Sequence, residues 1–353
     1  MVRRRTISKR AIHALRPALR LIVWPLQGLA LALFWSCCRA MSPARAAAFG
    51  ARLGRAFGPH LRWHGRLRAN LAIALPHAPS ERVEALAQAA WSSFGTTLAE
   101  HAHFGTIVGS DFDEHVEVVL APGLEACRGR PARFVFVTAH LGNWEIAPAA
   151  ARRLGLPLTV VYSPRANPIV DWQVQRRRRD LGCRFLASDD SIRPLLNELR
   201  AGRSIGLLVD LRVESGAALP FCGQPTTTTL VPARLALKFG CPLIPVRVER
   251  LQPARFRVTA EDAVLPDAAA PPALQARQMM AQVNARFESW IVARPYEWQC
   301  FQNRWPQATR ERVLKDRTQR ASRLRERQRA LGRGSNRRRP LHPLEHRGEG
   351  GIK

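Results

Sequence analysis

FVFVTAHLGNWEIAP, residues Phe134 to Pro148, is the stretch on which the reading of this chain turns. Its first five residues form a short apolar run of β-branched and aromatic side chains, which predicts a buried strand. His140 emerges at the end of that run. Gly142 accepts backbone conformations that other residues avoid, so a compact turn is expected there. Asn143 is an acceptable N-cap, and Glu145 then lies in the first turn of a helix. Ligands of a parallel α/β sheet gather at the carboxyl ends of its strands, where this histidine stands. The turn is expected to bring the Glu145 carboxylate to the His140 imidazole, fixing one ring nitrogen and raising the basicity of the other. That chemistry suits proton removal from a hydroxyl attacking a thioester. It needs no serine or cysteine nucleophile, and N–H groups at the helix start face the oxyanion. The bare H-x4-E spacing is a weak signal, because a strand-end histidine and a first-turn glutamate commonly serve only local polarity and the helix dipole.

Outward from this stretch, Leu158–Tyr162, Ser204–Val209, Leu243–Val248 and Arg255–Thr259 read as further strands. Helical patterns separate them, around Asp171 to Leu181 and Leu230 to Phe239, the latter stopped by Gly240 and Pro242. A last helix of this region covers Pro272 to Ala293. The alternation predicts an α/β domain with a mostly parallel central sheet flanked by helices. Residues 44 to 105 read as helical, with a capped start at Ser80. No repeat at solenoid periods is present.

The chain has 353 residues, with Lys plus Arg at 55 against 27 acidic residues, a net charge of +28. Such an excess implies an anionic partner: a membrane surface, a phosphorylated substrate, an acidic protein or nucleic acid. Seven cysteines without a CxxC pattern point to neither a disulfide framework nor a metal site. Leu21 to Cys38 is free of charge for 18 residues and follows a basic leader, residues 1–20. A span needs ~20 apolar residues, so this run is borderline, and Pro25 and Gln27 weaken it. A spanning anchor therefore competes with a helix lying in the inner leaflet, and the basic flank places the N-terminus in the cytoplasm. A cleaved signal peptide is disfavoured, since no A-x-A site closes the run. The expected organisation is leader 1–20, membrane helix 21–38, catalytic domain 39–306 and a basic, largely disordered tail 307–353.

HLGNWE resembles the H-[FL]-G-N-W-E segment of the bacterial lipid A biosynthesis acyltransferases, the late lauroyl or myristoyl transferases of the lysophospholipid acyltransferase superfamily. Other segments resemble that family in the same order. They are Asn70-Leu71 with Pro76, Glu100, Tyr162 to Pro168 (Y-R-P-x-x-N-P), Asp210 to Arg212 (D-Q-R), Pro220 to Gly223 (P-F-F-G), Thr229 to Pro245, Pro295 to Trp298, and Arg304-Trp305. The resemblance covers about residues 20 to 306. It implies a glycerolipid acyltransferase-like fold, an acyl carrier protein thioester as donor and a lipid A precursor hydroxyl as acceptor, with no cofactor. It also implies a bacterial inner-membrane location with the catalytic domain on the cytoplasmic face. His140 and Glu145 fall on the family's catalytic pair. Asn143, Arg165, Asn167, Asp210, Arg212 and Gly223 fall in its substrate-site segments. Ser163 stands where the family has Arg, Leu211 where it has Gln, and Gln302 where His is usual. These departures bear on the acceptor more than on the chemistry.

Three rival readings remain at the level of sequence. The same chemistry serves other acceptors, such as a lysophospholipid, an ornithine lipid or another glycolipid. A basic nucleic-acid-binding protein fits the charge, but no zinc-finger, RNP or P-loop pattern supports it and no nucleic-acid partner is expected. A catalytically dead family member is disfavoured by the intact His140 and Glu145. The Arg176–Arg179 run reads as a solvated face, and Trp144 as a wedge packing the turn.

Overall fold

In the computed structural model, residues 9–109, 111–125, 133–188 and 192–335 are described. The start of the basic leader and the tail from residue 336, with Arg337, Arg338 and Arg339, lie outside the described residues. A seven-stranded sheet forms the centre. Its strands, in chain order, are β1 (Val116–Leu120), β2 (Val135–Thr138), β3 (Leu158–Tyr162), β4 (Arg184–Ala187), β5 (Ser204–Leu208), β8 (Leu243–Gln252) and β9 (Arg255–Ala260). The spatial order is β1-β9-β8-β2-β5-β3-β4. Strands β8, β2, β5, β3 and β4 run parallel, while β9 returns antiparallel to β8 and carries β1 beside it in its own direction. Strands β6 (Ala217–Phe221) and β7 (Gln224–Thr228) make a separate antiparallel hairpin.

The parallel strands are the near-continuous apolar runs that a sheet covered on both faces requires. Two strands of the sheet lack that signature. β4 is a four-residue edge strand with Arg184 in it, and β1 alternates Val with Glu117 at the other edge. Both still turn apolar side chains inward, Val116 into the core and Phe185 against it, while their backbones pair with their neighbours.

The helices of seven residues or more are α1 (Lys9–Arg39), α2 (Pro43–Phe57), α3 (His64–Ala74), α4 (Ser80–Glu100), α5 (Ala147–Arg153), α6 (Pro168–Arg178), α7 (Arg193–Arg200), α8 (Val231–Phe239), α9 (Pro272–Ala293) and α10 (Gln307–Ser335). One apolar core joins Ile146, Ala149 and Ala150 to Phe134, just before β2, to Ile244 and Val248 of β8 and to Phe256 of β9. A second joins Trp35 and Cys38 of α1 to Ala46, Ala99 and Val174. The compact unit ends at Gln307, and α10 belongs almost wholly to a second unit from Ala308. In α10, Arg recurs at 310, 312, 317, 320 and 323, and no apolar stripe runs along it.

Candidate active site

The site is built by the register of two neighbouring strands. Thr138 of β2 pairs with Leu208 of β5, and the pairing continues as Val209 N–H donates to the Thr138 carbonyl at 3.1 Å. Two residues further on, His140 and Asp210 stand side by side. The His140 Nδ1–H meets Asp210 Oδ1 at 2.7 Å, and the His140 backbone N–H donates to Oδ2 at 3.1 Å. Trp298 Nε1–H donates to the same Oδ2 at 3.0 Å. Asp210 is fully buried. Burial alone would raise its carboxyl, but the His140 ring and these donors outweigh it and hold the group below the ordinary aspartate value. With Nδ1 engaged by Asp210, Nε2 is the ring nitrogen left free at the cavity that His140 lines.

The turn that presents His140 is clamped from behind. Gly142 adopts φ +56°, and a Cβ there would lie 2.8 Å from the Val248 carbonyl oxygen, so glycine is required on two counts. Its N–H donates to the Glu297 carbonyl at 3.1 Å, and its own carbonyl accepts from Gln299 Nε2 at 2.8 Å. The Gln299 N–H closes the loop onto the His140 carbonyl at 2.8 Å. Asn70 of α3 anchors the same closing segment, its Nδ2 donating to the carbonyls of Cys300 at 2.9 Å and Gln302 at 2.6 Å. Arg304 is buried over the Phe221 ring and donates to Thr227 and Thr228 of β7. Glu297 and Gln299 thus hold the turn, and Asn70, which also accepts from the Arg304 N–H, holds the segment that follows them.

Glu145 does not pair with His140, contrary to the expectation from spacing. The helix begins only at Ala147, after a single 3-10 turn over Trp144–Ile146. That tighter turn gives Glu145 to Arg178 of α6, whose Nε donates at 2.8 Å while its second nitrogen binds the other carboxylate oxygen. Both side chains are buried. Burial would raise the Glu145 carboxyl, but Arg178, with His101 and Arg165 nearby, holds it below the ordinary value. Arg178 is thus no part of a solvated face. Asn143 does not cap the helix with its side chain either. It is fully buried, and its Nδ2 donates at 2.8 Å to Glu100, which is itself bound by Arg250. Trp144 packs edge-on against the His140 ring, with centroids 4.9 Å apart.

His140, Trp144, Glu145 and Arg178 line a cavity of about 670 Å³. Its inner walls are apolar, formed by Phe136, Val160, Leu208 and Ala260 of the sheet, by Ala150 of α5 and by Leu154 just after that helix. Gly206, at the centre of β5, adds open width to that wall. Polar lining comes from Ser163, Arg212 and Gln302 among others. Arg212 reaches the lining while paired to the exposed Glu214 at 2.5 Å. Arg165 is exposed and electrostatically coupled to Glu145, although only its backbone N–H, donated to Asp171, makes a hydrogen bond among the described contacts.

Two expected substrate residues have other work. The Asn167 side chain caps α6, accepting from Ile169 N–H at 3.0 Å, while its Nδ2 donates to the Trp24 carbonyl and Gln27 of α1. Gly223, with φ +68°, follows Cys222 at φ +49° in the two-residue turn of the β6–β7 hairpin. Both central residues with positive φ describe a type I′ turn, which glycine favours.

Residues 16–307 match the family model for bacterial lipid A biosynthesis acyltransferases. The chain belongs to that family. It is 28% identical over 258 residues to the phosphatidylinositol mannoside acyltransferase of Mycobacterium tuberculosis, covering 68% of this chain and 76% of the relative. It is 22% identical over 137 residues to a lipid A biosynthesis acyltransferase of Haemophilus influenzae, covering 39% and 43% of the two chains. Among solved structures, the 1-acyl-sn-glycerophosphate acyltransferase of Thermotoga maritima aligns with a TM-score of 0.34 at 14% identity, over 76% of this chain and 99% of that one. The chain is an acyltransferase. The family segments carried the site into view as sequence, but the pairing of His140 with Asp210 and the donation by Trp298 had no signal in the spacing. Arg178 had none either, since its run of four arginines hides which one turns inward.

Proposed function

We propose that this acyltransferase moves a fatty acyl chain from an acyl carrier protein thioester to a hydroxyl of an anionic glycolipid, with a lipid A precursor as the first candidate acceptor. The observation that carries the reading is the His140–Asp210 pair at an apolar cavity of about 670 Å³. Asp210 holds the Nδ1–H tautomer, so Nε2 takes the proton of the acceptor hydroxyl as its oxygen attacks the thioester carbonyl carbon. The C–S bond then breaks, and the proton passes from the imidazolium to the departing thiolate. Asp210 stays ionised and stabilises the imidazolium between the two steps. The apolar walls take the acyl chain, and Arg212 offers a cation to acceptor phosphate by exchanging its exposed partner Glu214. Glu145 positions Arg178 and the turn beneath the histidine, and its part in the reaction is indirect. No cofactor is needed for this reaction. In this reading the chain works on the cytoplasmic face of a bacterial inner membrane, where an acyl carrier protein donor would reach it.

The mycobacterial relatives favour a second acceptor, a mannosylated phosphatidylinositol, for the same chemistry. Purified chain supplied with acyl carrier protein or coenzyme A thioesters, and with each acceptor in detergent micelles, separates the choices by product mass. Transfer to the lipid A precursor, abolished by His140→Ala in folded protein, is the expected result. Full turnover in His140→Ala defeats the mechanism, and transfer only to the mannosylated lipid moves the assignment to the second acceptor.

A further inference from the structure

The N-terminal helix is fastened to the catalytic unit along one narrow stripe. Residues 24, 28, 31, 35 and 38 of α1 recur at helical spacing and are buried or half-buried, with 32 and 34 half-buried beside them. Asn167 Nδ2 donates to the Trp24 carbonyl at 3.0 Å and to Gln27 at 2.9 Å, and Gln173 Nε2 donates to the Gly28 carbonyl at 3.0 Å. Ile169 packs against Gly28, where an added Cβ would come within 2.5 Å of its side chain. Further along, the Arg177 guanidinium lies over the Trp35 ring, and Trp35 Nε1–H donates to the Leu98 carbonyl. These contacts run from Trp24 to Trp35, about 16 Å of helix axis at 1.5 Å per residue. They occupy the middle of the apolar run from Leu21 to Cys38, which is about 27 Å long.

That placement is incompatible with a helix crossing the bilayer in this packing. A span would carry Asn167, Gln173, Arg176 and Arg177 of α6 to hydrocarbon depth along with it, where polar and charged side chains are costly. The opposite face of α1 remains apolar and exposed, through Leu21, Ile22, Leu26, Leu29 and Leu33. Beside it, Ile169 and Trp172 of α6 are also exposed, with Trp172 at 56%. Cations rim the surface: Arg20 lies over Trp24, Arg176 over Trp172, and Arg39 closes the helix. Apolar stripe, tryptophan and arginine together form the pattern of a helix lying in the interface of an anionic bilayer.

We infer that α1 and α6 form one two-helix platform that rests in the plane of the headgroup boundary of an anionic membrane, with neither helix crossing it. The platform adjoins the cavity. Ser163 lines the cavity wall and lies four residues before Asn167, a reach of at most about 14 Å. A lipid acceptor resting on the platform therefore enters the site sideways from the leaflet, without leaving the interface.

Two measurements test this on the full chain bound to phosphatidylethanolamine–phosphatidylglycerol vesicles, and neither reads acyl transfer. In a Cys37→Ser background, Ile22→Cys, Leu26→Cys, Leu29→Cys and Leu33→Cys each carry a nitroxide, with the background protein as control. Collisional relaxation then reports depth. All four labels are expected at one shallow depth, about 5–10 Å below the headgroups. Trp172→Ala, an exposed position that leaves the core untouched, is expected to weaken vesicle partitioning by about tenfold. A depth that is greatest at Leu26 and Leu29 and shallower at Ile22 and Leu33 overturns the inference. So does unchanged partitioning of Trp172→Ala.

Discussion

His140 is held by Asp210, and the difference between the two carboxylates follows from their partners. Asp210 accepts from the ring and from Trp298, whereas Glu145 is bound by Arg178. Asp210→Asn is therefore expected to lower kcat by about 10²- to 10⁴-fold with little change in fold, because the ring loses its charged orienting partner. Glu145→Gln should cost far less turnover, and steady-state kinetics on the two purified variants decides between them. Equal collapse in both would return Glu145 to the catalytic pair. The buried ion pair makes a separate stability prediction. Arg178→Met strands the Glu145 carboxylate in the interior and should cost about 3–5 kcal/mol in chemical denaturation. Adding Glu145→Gln to Arg178→Met should recover part of that loss, since the uncompensated charge is then gone.

At the scale of elements, the central strand β5 does two things. Its end delivers Asp210 to His140, and its middle residue, Gly206, leaves width in the cavity wall. A Cβ at Gly206 would make only ordinary contacts, at 3.5 Å with Val160 and 3.6 Å with Leu158, so the backbone tolerates a side chain. A bulky one must project into the cavity. Gly206→Leu is expected to fold and to lose roughly tenfold in kcat/KM for the longest acyl donors, while sparing short ones. A donor series of increasing chain length tests this, and a uniform loss across the series would count against an acyl cavity. The β3–α7 pairing carries a pH signature. Hydrogen bonds from Arg203 and Thr159, with Arg184 beside them, lower the Glu198 carboxyl from its ordinary 4.5 to about 2 despite its burial. A carboxyl lowered in the folded state adds stability above its unfolded value and loses it as pH falls through the folded value. The contribution is thus full above pH 4.5 and fades toward pH 2. Glu198→Gln should flatten the melting temperature against pH in that window.

Across the whole molecule, the net charge of +28 is shared between the compact unit and the chain that follows it. Arg212 lines the cavity, while the arginines of α10 and those beyond it follow the compact unit. Truncation after Pro306 is expected to leave turnover at saturating substrate largely unchanged, with a loss of apparent affinity that added salt removes. Arg212→Ala should cost about tenfold in kcat/KM at every salt concentration, because a charge-assisted contact near the reacting hydroxyl is lost. Acyl transfer across a salt series in micelles compares the two. A truncation that stops turnover at all salts, with Arg212→Ala active, would place the essential contacts in the tail.

The sequence by itself determined the family, the parallel α/β sheet and His140 at a strand end. Apolar runs such as Phe134–Thr138 and Leu158–Tyr162 encode their own strands through local periodicity, and the ordered segments around HLGNWE encode the family. It did not determine β1 and β4, short edge strands whose few apolar residues, broken by Glu117 and Arg184, show no strand pattern apart from the neighbours they pair with. Nor did it determine the partner of His140. Glu145 is five residues away and Asp210 seventy, yet the pairing of β2 with β5 brings Asp210 to the ring, while a 3-10 turn gives Glu145 to Arg178. Asn167 and Gly223 stood in substrate-site segments, but the structure spends one on capping α6 against α1 and the other on a hairpin turn. Spacing along the chain fixes what a residue does within its own turn. Which charges meet across seventy residues is decided by strand order and register, and those are properties of the folded sheet alone.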